Sequence, residues 1–198
     1  MNARMGLRIG TLVAVVLLTL LALDRWRAEQ EAGQPLAWKA AYEATLWAPL
    51  RERLLTLADV ERTLGKGSLW MISADGEPRL VSRHPLDSDG QRWRLQAVIG
   101  LDEERTNSLV EAQAWQPDMA DQAVSPAVAA ALAQYPVERL SVMPEEPLSA
   151  QKVIATFGVA DWHMPVEGGE AWIYGRQGVV VSVSEGEAHS VMFGLRQE

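Results

Sequence analysis

Few residue types in this chain are suited to chemistry. The 198 residues contain no cysteine, which removes thiol nucleophiles, thiolate metal sites and attachment through a lipidated cysteine. The histidines are His84, His163 and His189, and none belongs to an H-E-x-x-H pair that would turn two imidazoles toward zinc from one helical face. Asp161, His163 and Glu167 are near enough in sequence to meet around a metal in one loop. That grouping defines one alternative, an envelope hydrolase with a metal-assisted site, although a polar surface turn uses the same letters. His189 beside Ser190 offers the types for nucleophilic catalysis, but adjacent strand residues point to opposite faces.

The remaining candidates are also weak. Gly168-Gly169 and the Gly175/Gly178 pair flank strands and do not open a helix, so they read as turn glycines and not as a phosphate cradle. Glu103-Glu104 and Glu145-Glu146 read as solvated surface. They do not resemble the paired carboxylates, about 5 Å apart in a cleft, of a retaining glycosidase. The expectation is no catalytic residue, no metal and no cofactor.

Recognition is better represented. The chain has 8 Trp against 2 Phe and 3 Tyr, and Trp suits interfaces because its body is apolar while its N–H can stay wet. Trp70, Trp162 and Met164 each follow a short helix, where loop residues would be exposed, and they form the expected binding surface. The competing assignment is the core of small sheets. Carbohydrate stacking would require Asn and Asp partners that are scarce around these positions.

The element expected to position everything else is apolar. Ile9 to Leu23 is an unbroken apolar run behind Arg4 and Arg8, and drawing in Met5, Gly6 and Leu7 brings a helix over residues 5–23 close to hydrocarbon thickness. Asp24-Arg25-Trp26-Arg27 follows directly, without a small-residue cleavage pattern, so the segment reads as a retained anchor. The expectation is a single-pass protein of the inner membrane with its domain in the periplasm. Arg25 and Arg27 match Arg4 and Arg8 in number, so orientation rests on the short leading tail. Residues 1–31, anchor and tether, carry about one positive charge, which leaves the rest slightly more acidic than the net −8 of the whole. Such a surface repels phosphate backbones, so nucleic acid is not an expected partner.

Periodicity divides the remainder into two α+β units, residues 36–116 and 123–198. Leu36 to Ala48 has helical spacing up to Pro49. Thr56-Leu57-Ala58-Asp59 fits a capping box, with Gly65 as the stop. Leu69 to Ser73 and Arg79 to Arg83 flank an Asp75-Gly76 hairpin signal, and Trp93, Leu95, Ala97 and Ile99 mark the buried face of a strand. Asn107 to Trp115 is expected to return antiparallel to it. Ala127 to Tyr135 reads as an alanine-rich helix behind Ser125-Pro126. Thr56 to Gly65 (TLADVERTLG) and Ser149 to Gly158 (SAQKVIATFG) share a capping hydroxyl, a Val and a final glycine, which suggests a partial repeat.

The second copy, Leu148 to Ser184, resembles the module of the SmpA/OmlA (BamE-type) lipoproteins through Val153, Phe157, Gly158, Trp172 and Tyr174. Two such copies would resemble the tandem arrangement of the β-lactamase inhibitor protein family. The matching positions are structural, and the lipidated cysteine of the lipoproteins is missing. What the resemblance implies is a small extracytoplasmic module that binds other proteins and performs no chemistry. The expected fold is thus α+β, an N-terminal transmembrane helix followed by tandem helix plus antiparallel-sheet units. The expected function is a membrane-anchored, non-catalytic interaction module whose partner is an envelope protein. A single-span sensor domain is a further alternative.

Overall fold

A computed structural model describes residues 17–23, 33–74 and 76–194. Its strands are β1 (Ser68–Ala74), β2 (Glu77–Ser88), β3 (Gln91–Ile99), β4 (Gln122–Ala123), β5 (Val137–Pro144), β6 (Leu148–Ser149), β7 (Trp162–Val166), β8 (Gly169–Tyr174), β9 (Val179–Ser184) and β10 (Glu187–Phe193). Asp89-Gly90 joins β2 to β3 and Glu185-Gly186 joins β9 to β10. Both turns hold positive φ at both central residues, 53° and 74° in one and 54° and 80° in the other, the type I′ geometry that matches strand twist. All ten strands belong to one antiparallel sheet, ordered β4-β1-β2-β3-β5-β10-β9-β8-β7, with β6 pairing the start of β10.

Helices cover one face of this sheet. They are α1 (Ala37–Ala41), α2 (Ala48–Arg51), α3 (Leu57–Leu64), α4 (Glu103–Gln113), α5 (Pro126–Ala131) and α6 (Ala150–Phe157). Thr56 and Asp59 form the expected capping box of α3, Ser149 caps α6, and Gly65 and Gly158 end these helices at φ 86° and 85°. Between α1 and α2 the backbone widens into a π-turn, Glu43–Trp47, with Trp47 N–H donating to the Tyr42 carbonyl at 3.2 Å. This turn buries both Leu46 and Trp47. Trp47 stacks on Phe193 with centroids 4.2 Å apart, and Trp38 meets Trp47 and Trp93 edge-on at 5.5 Å. The segment is fixed at its start by Thr156, whose Oγ1 accepts from Leu36 N–H at 2.9 Å, and by Asp89, whose carboxylate accepts from Ala37 N–H at 3.0 Å.

Two expectations about architecture are corrected. Among the described residues no helix is long and apolar enough to cross a membrane. Residues 17–23 are helical, a length of about 10 Å against a hydrocarbon core of about 30 Å. The rest of the expected span, 5–16, and most of the tether, 24–31, lie outside the described residues. The N-terminal transmembrane helix and the single-pass inner-membrane placement with a periplasmic domain therefore do not stand, and the sensor alternative loses its premise.

The two expected units are joined in one continuous sheet. From one edge the strands come in the order β1-β2-β3-β5 and from the other in the order β7-β8-β9-β10, and since each pairing is antiparallel, every strand of the first set runs opposite to its counterpart in the second. Val60 of α3 and Val153 of α6, from the helix that precedes each set, enter the same core on the same face. Reversed order, reversed direction and one shared face are what a two-fold rotation about an axis normal to the sheet, between β5 and β10, produces.

Asn107 to Trp115 is not a strand. Asp102 accepts from Arg105 N–H at 2.8 Å and starts α4 there, a cap that outweighs the few β-branched residues following it. Replacing Trp47 with Ala should cost about 3–5 kcal/mol in urea unfolding, since it empties a fully packed aromatic site, whereas Leu54→Ala on the exposed surface should stay within about 0.5 kcal/mol.

Candidate functional site

The register assigns every strand residue to a face. Ser68, Arg83, Gln96, Ser141, Met192, Val180, Ile173 and Trp162 are successive direct partners from β1 to β7 and form one row on the face opposite the helices. Trp70, Arg79, Arg94, Val98, Arg139, Ala171 and Met164 lie on that same open face, and Val81 is on the same side but buried, 1% exposed. A sheet packed on one side only leaves its other side to water or to a partner.

At one edge of this face stands β7, all five of whose residues are exposed. Trp162 is 66% exposed, Met164 52% and Val166 45%, and alternation places these three on the open face beside Ala171 and Ile173. Trp162 also lies beside Gly175, where an added Cβ would meet its ring at 3.4 Å. This apolar group extends into the sheet through Val180 and Met192, and contiguous exposed apolar surface of this kind marks interaction sites.

The edge itself is guarded. Glu167 and Gly168 form a two-residue turn between the paired Val166 and Gly169, so that pair exchanges hydrogen bonds. Alternation then directs the backbone groups of His163 and Pro165 to the free edge. Proline has no N–H, so the edge lacks a donor in its middle and adds strands poorly. Side chains on the open face, more than backbone at the edge, are what β7 offers.

Trp162 and Met164 thus sit together, two residues apart on one strand. Trp70 shares their face but stands on β1, seven strand spacings or about 34 Å away. It is half-buried, its Nε1–H donates to Ser68 Oγ at 2.9 Å, and the Arg83 guanidinium lies 4.9 Å from its ring. The expected binding trio is therefore split, with two members at one end of the face and one at the other.

The residues considered for hydrolysis do not assemble. His163 Nδ1 is 3.3 Å from Glu170 Oε2, and that carboxylate also accepts from Trp172 Nε1–H at 3.1 Å. The Trp172 indole, with His163 second, holds the Glu170 carboxyl below its usual range. Asp161 donates its backbone N–H to the Ile173 carbonyl at 2.8 Å, and Glu167 is in the β7–β8 turn. Among the described residues no three His, Cys, Asp or Glu side chains are grouped to hold a metal ion.

The nearest approach to catalytic geometry lies elsewhere. Ser82 Oγ is 2.9 Å from His84 Nε2, and His84 Nδ1 is 3.0 Å from the Gly65 carbonyl. The carbonyl can only accept, so Nδ1 carries the proton and Nε2 accepts from the serine. Sequence reading did not single this pair out, and its only signal is a Ser and a His at i and i+2, the spacing that puts two strand residues on one face. Yet Ser82 is 2% exposed and His84 1%, and Gly67 closes over them so tightly that a Cβ there would stand 2.5 Å from Ser82 Oγ and His84 Cε1. No substrate reaches this serine, and the pair is a buried polar tie between β2 and the end of α3.

Burial depresses the His84 imidazole below its ordinary value of 6.5, outweighing the Gly65 carbonyl. The unfolded chain therefore takes up a proton at a pH where the folded site does not. Stability should be full above about pH 6.5 and fall below it by at most about 1.4 kcal/mol per pH unit, until the folded imidazole is itself protonated. Urea unfolding at about pH 7.5 and about pH 5.5 should show the decline, and His84→Gln should flatten it. A wild-type stability equal at both would contradict the buried neutral imidazole. No protein family, curated protein or solved structure matches this chain, so its functional reading stands on its own geometry.

Proposed function

We propose that the protein is a non-catalytic protein-interaction module that binds through the open face of its sheet at the β7 end. The observation that carries the reading is the cluster of Trp162, Met164 and Val166, each about half exposed or more, on a strand whose residues are all exposed. A monomer gains nothing from holding a Trp and a Met in water, whereas a partner that covers them gains apolar burial and an indole anchor. The resemblance of Leu148 to Ser184 to SmpA/OmlA-type modules supports the same reading, and the sealed Ser82–His84 pair removes the strongest competing group. The acidic balance of −8 disfavours nucleic acid as the partner.

A photocrosslinking residue at Val166 in the full-length protein should capture one recurrent protein that the same residue at Glu146 does not. Trp162→Ser combined with Met164→Ser should reduce that capture at least about tenfold, the loss of one central anchor, and leave thermal stability within about 0.5 kcal/mol. Equal capture at both positions, or capture indifferent to the double substitution, would remove the basis of the reading.

A further inference from the structure

The open face changes character along its length. In the cross-strand row that begins at Trp162, the next residues are Ile173, Val180 and Met192, all apolar, and then Ser141, Gln96 and Arg83, all polar. The polar half carries an excess of arginine that the acidic composition does not predict. Arg79, Arg83, Arg94 and Arg139 all project there.

Two guanidiniums on this face already hold carboxylates supplied by connecting loops. Arg83 pairs with Asp121, and Arg92 takes Glu145 in a two-pronged contact, Nε to Oε2 and Nη2 to Oε1, both 2.9 Å. Arg94 lies between them in a shallow cleft of about 450 Å³ lined also by Met143 and Pro85. Neither Arg94 nor Arg139 has a carboxylate partner among the described residues. The planar fork of arginine is matched to carboxylate, and two neighbours show that pairing realised on this surface.

We infer that the occupant of this face is an acidic, apolar-bearing segment of another protein, with its carboxylates on Arg94 and Arg139 and its apolar side chains over Met192, Ile173 and Trp162. The inference rests on the protein-binding reading and gives the partner its chemistry. From Trp162 to Arg83 the row spans six strand spacings, about 29 Å, which about nineteen residues of helix or nine of extended chain would cover. A second copy fits less well. The apolar half offers a few hundred Å² against the roughly 800 Å² per partner of a stable interface, and two chains of net charge −8 repel each other.

Panning a random 20-residue peptide display library on the full-length protein tests this directly. The expected peptides carry Asp and Glu toward one end and Trp, Phe, Leu or Met toward the other. Their binding should weaken at least tenfold in Arg94→Glu/Arg139→Glu, less in Arg94→Gln/Arg139→Gln, and also on raising NaCl from low to high concentration. Enrichment without an acidic bias, or acidic peptides that ignore the arginine substitutions, would overturn the inference. Binding lost in Trp162→Ser/Met164→Ser but untouched by the arginine variants would overturn the acidic partner and leave the protein-binding reading in place. Indifference to both pairs would end both. Sedimentation velocity showing a dimer abolished by Trp162→Ser would reassign the face to a second copy, and a single-stranded oligonucleotide competing at Arg94 would reassign it to nucleic acid.

Discussion

One contact decides which side of the sheet is covered. Trp47 stacked on Phe193, with Trp38 set edge-on between Trp47 and Trp93, draws the segment after Leu36 across β3, β5 and β10. Four aromatic side chains from three parts of the chain converge there, each worth several kcal/mol when truncated. The covered face can then close with α3, α4, α5 and α6, and among the described residues no helix covers the other face. The π-turn at Glu43–Trp47 serves this contact, since it brings Leu46 and Trp47 inward together.

The open face and the guarded edge answer different hazards. An unpaired strand invites other strands, and Pro165 withdraws the donor that such pairing needs. The indole of Trp162 and the thioether of Met164 remain presented beside it. Adaptable, polarizable side chains on a rigid sheet suit recognition by side-chain contact, and Met in particular accommodates partners of differing shape.

Local features of this structure were legible in the sequence. The Thr56 and Ser149 caps, the Gly65 and Gly158 stops and the hairpin glycines act within a few residues, so their chemistry is written beside them. Order across the sheet was not legible, because β5 finds β3 and β10 by pairings that no local pattern encodes. Asn107 to Trp115 was misread because Leu109, Val110 and Trp115 fit either period, and only the Asp102 cap resolves them. The apolar run before Leu23 gave a length argument for a span, and the helical residues 17–23 are too few to satisfy it. On the open face Trp162 and Met164 could be proposed from type alone. The arginines could not, since Arg83, Arg94 and Arg139 come from three strands and share a face only through register.

The same long-range stitching has a kinetic consequence. Leu36 is tied to Thr156, 120 positions away, and the stack on Phe193 joins the first helices to the final strand. Contacts of such high sequence separation carry a loop-closure cost before they return any stabilisation, and chains dominated by them fold in milliseconds to seconds. During synthesis from the amino end, Trp38 and Trp47 would emerge long before the strand that completes their packing. Throughout that interval two large aromatic side chains of the nascent chain are without their native neighbours, and the docking of β10 is what ends that exposure.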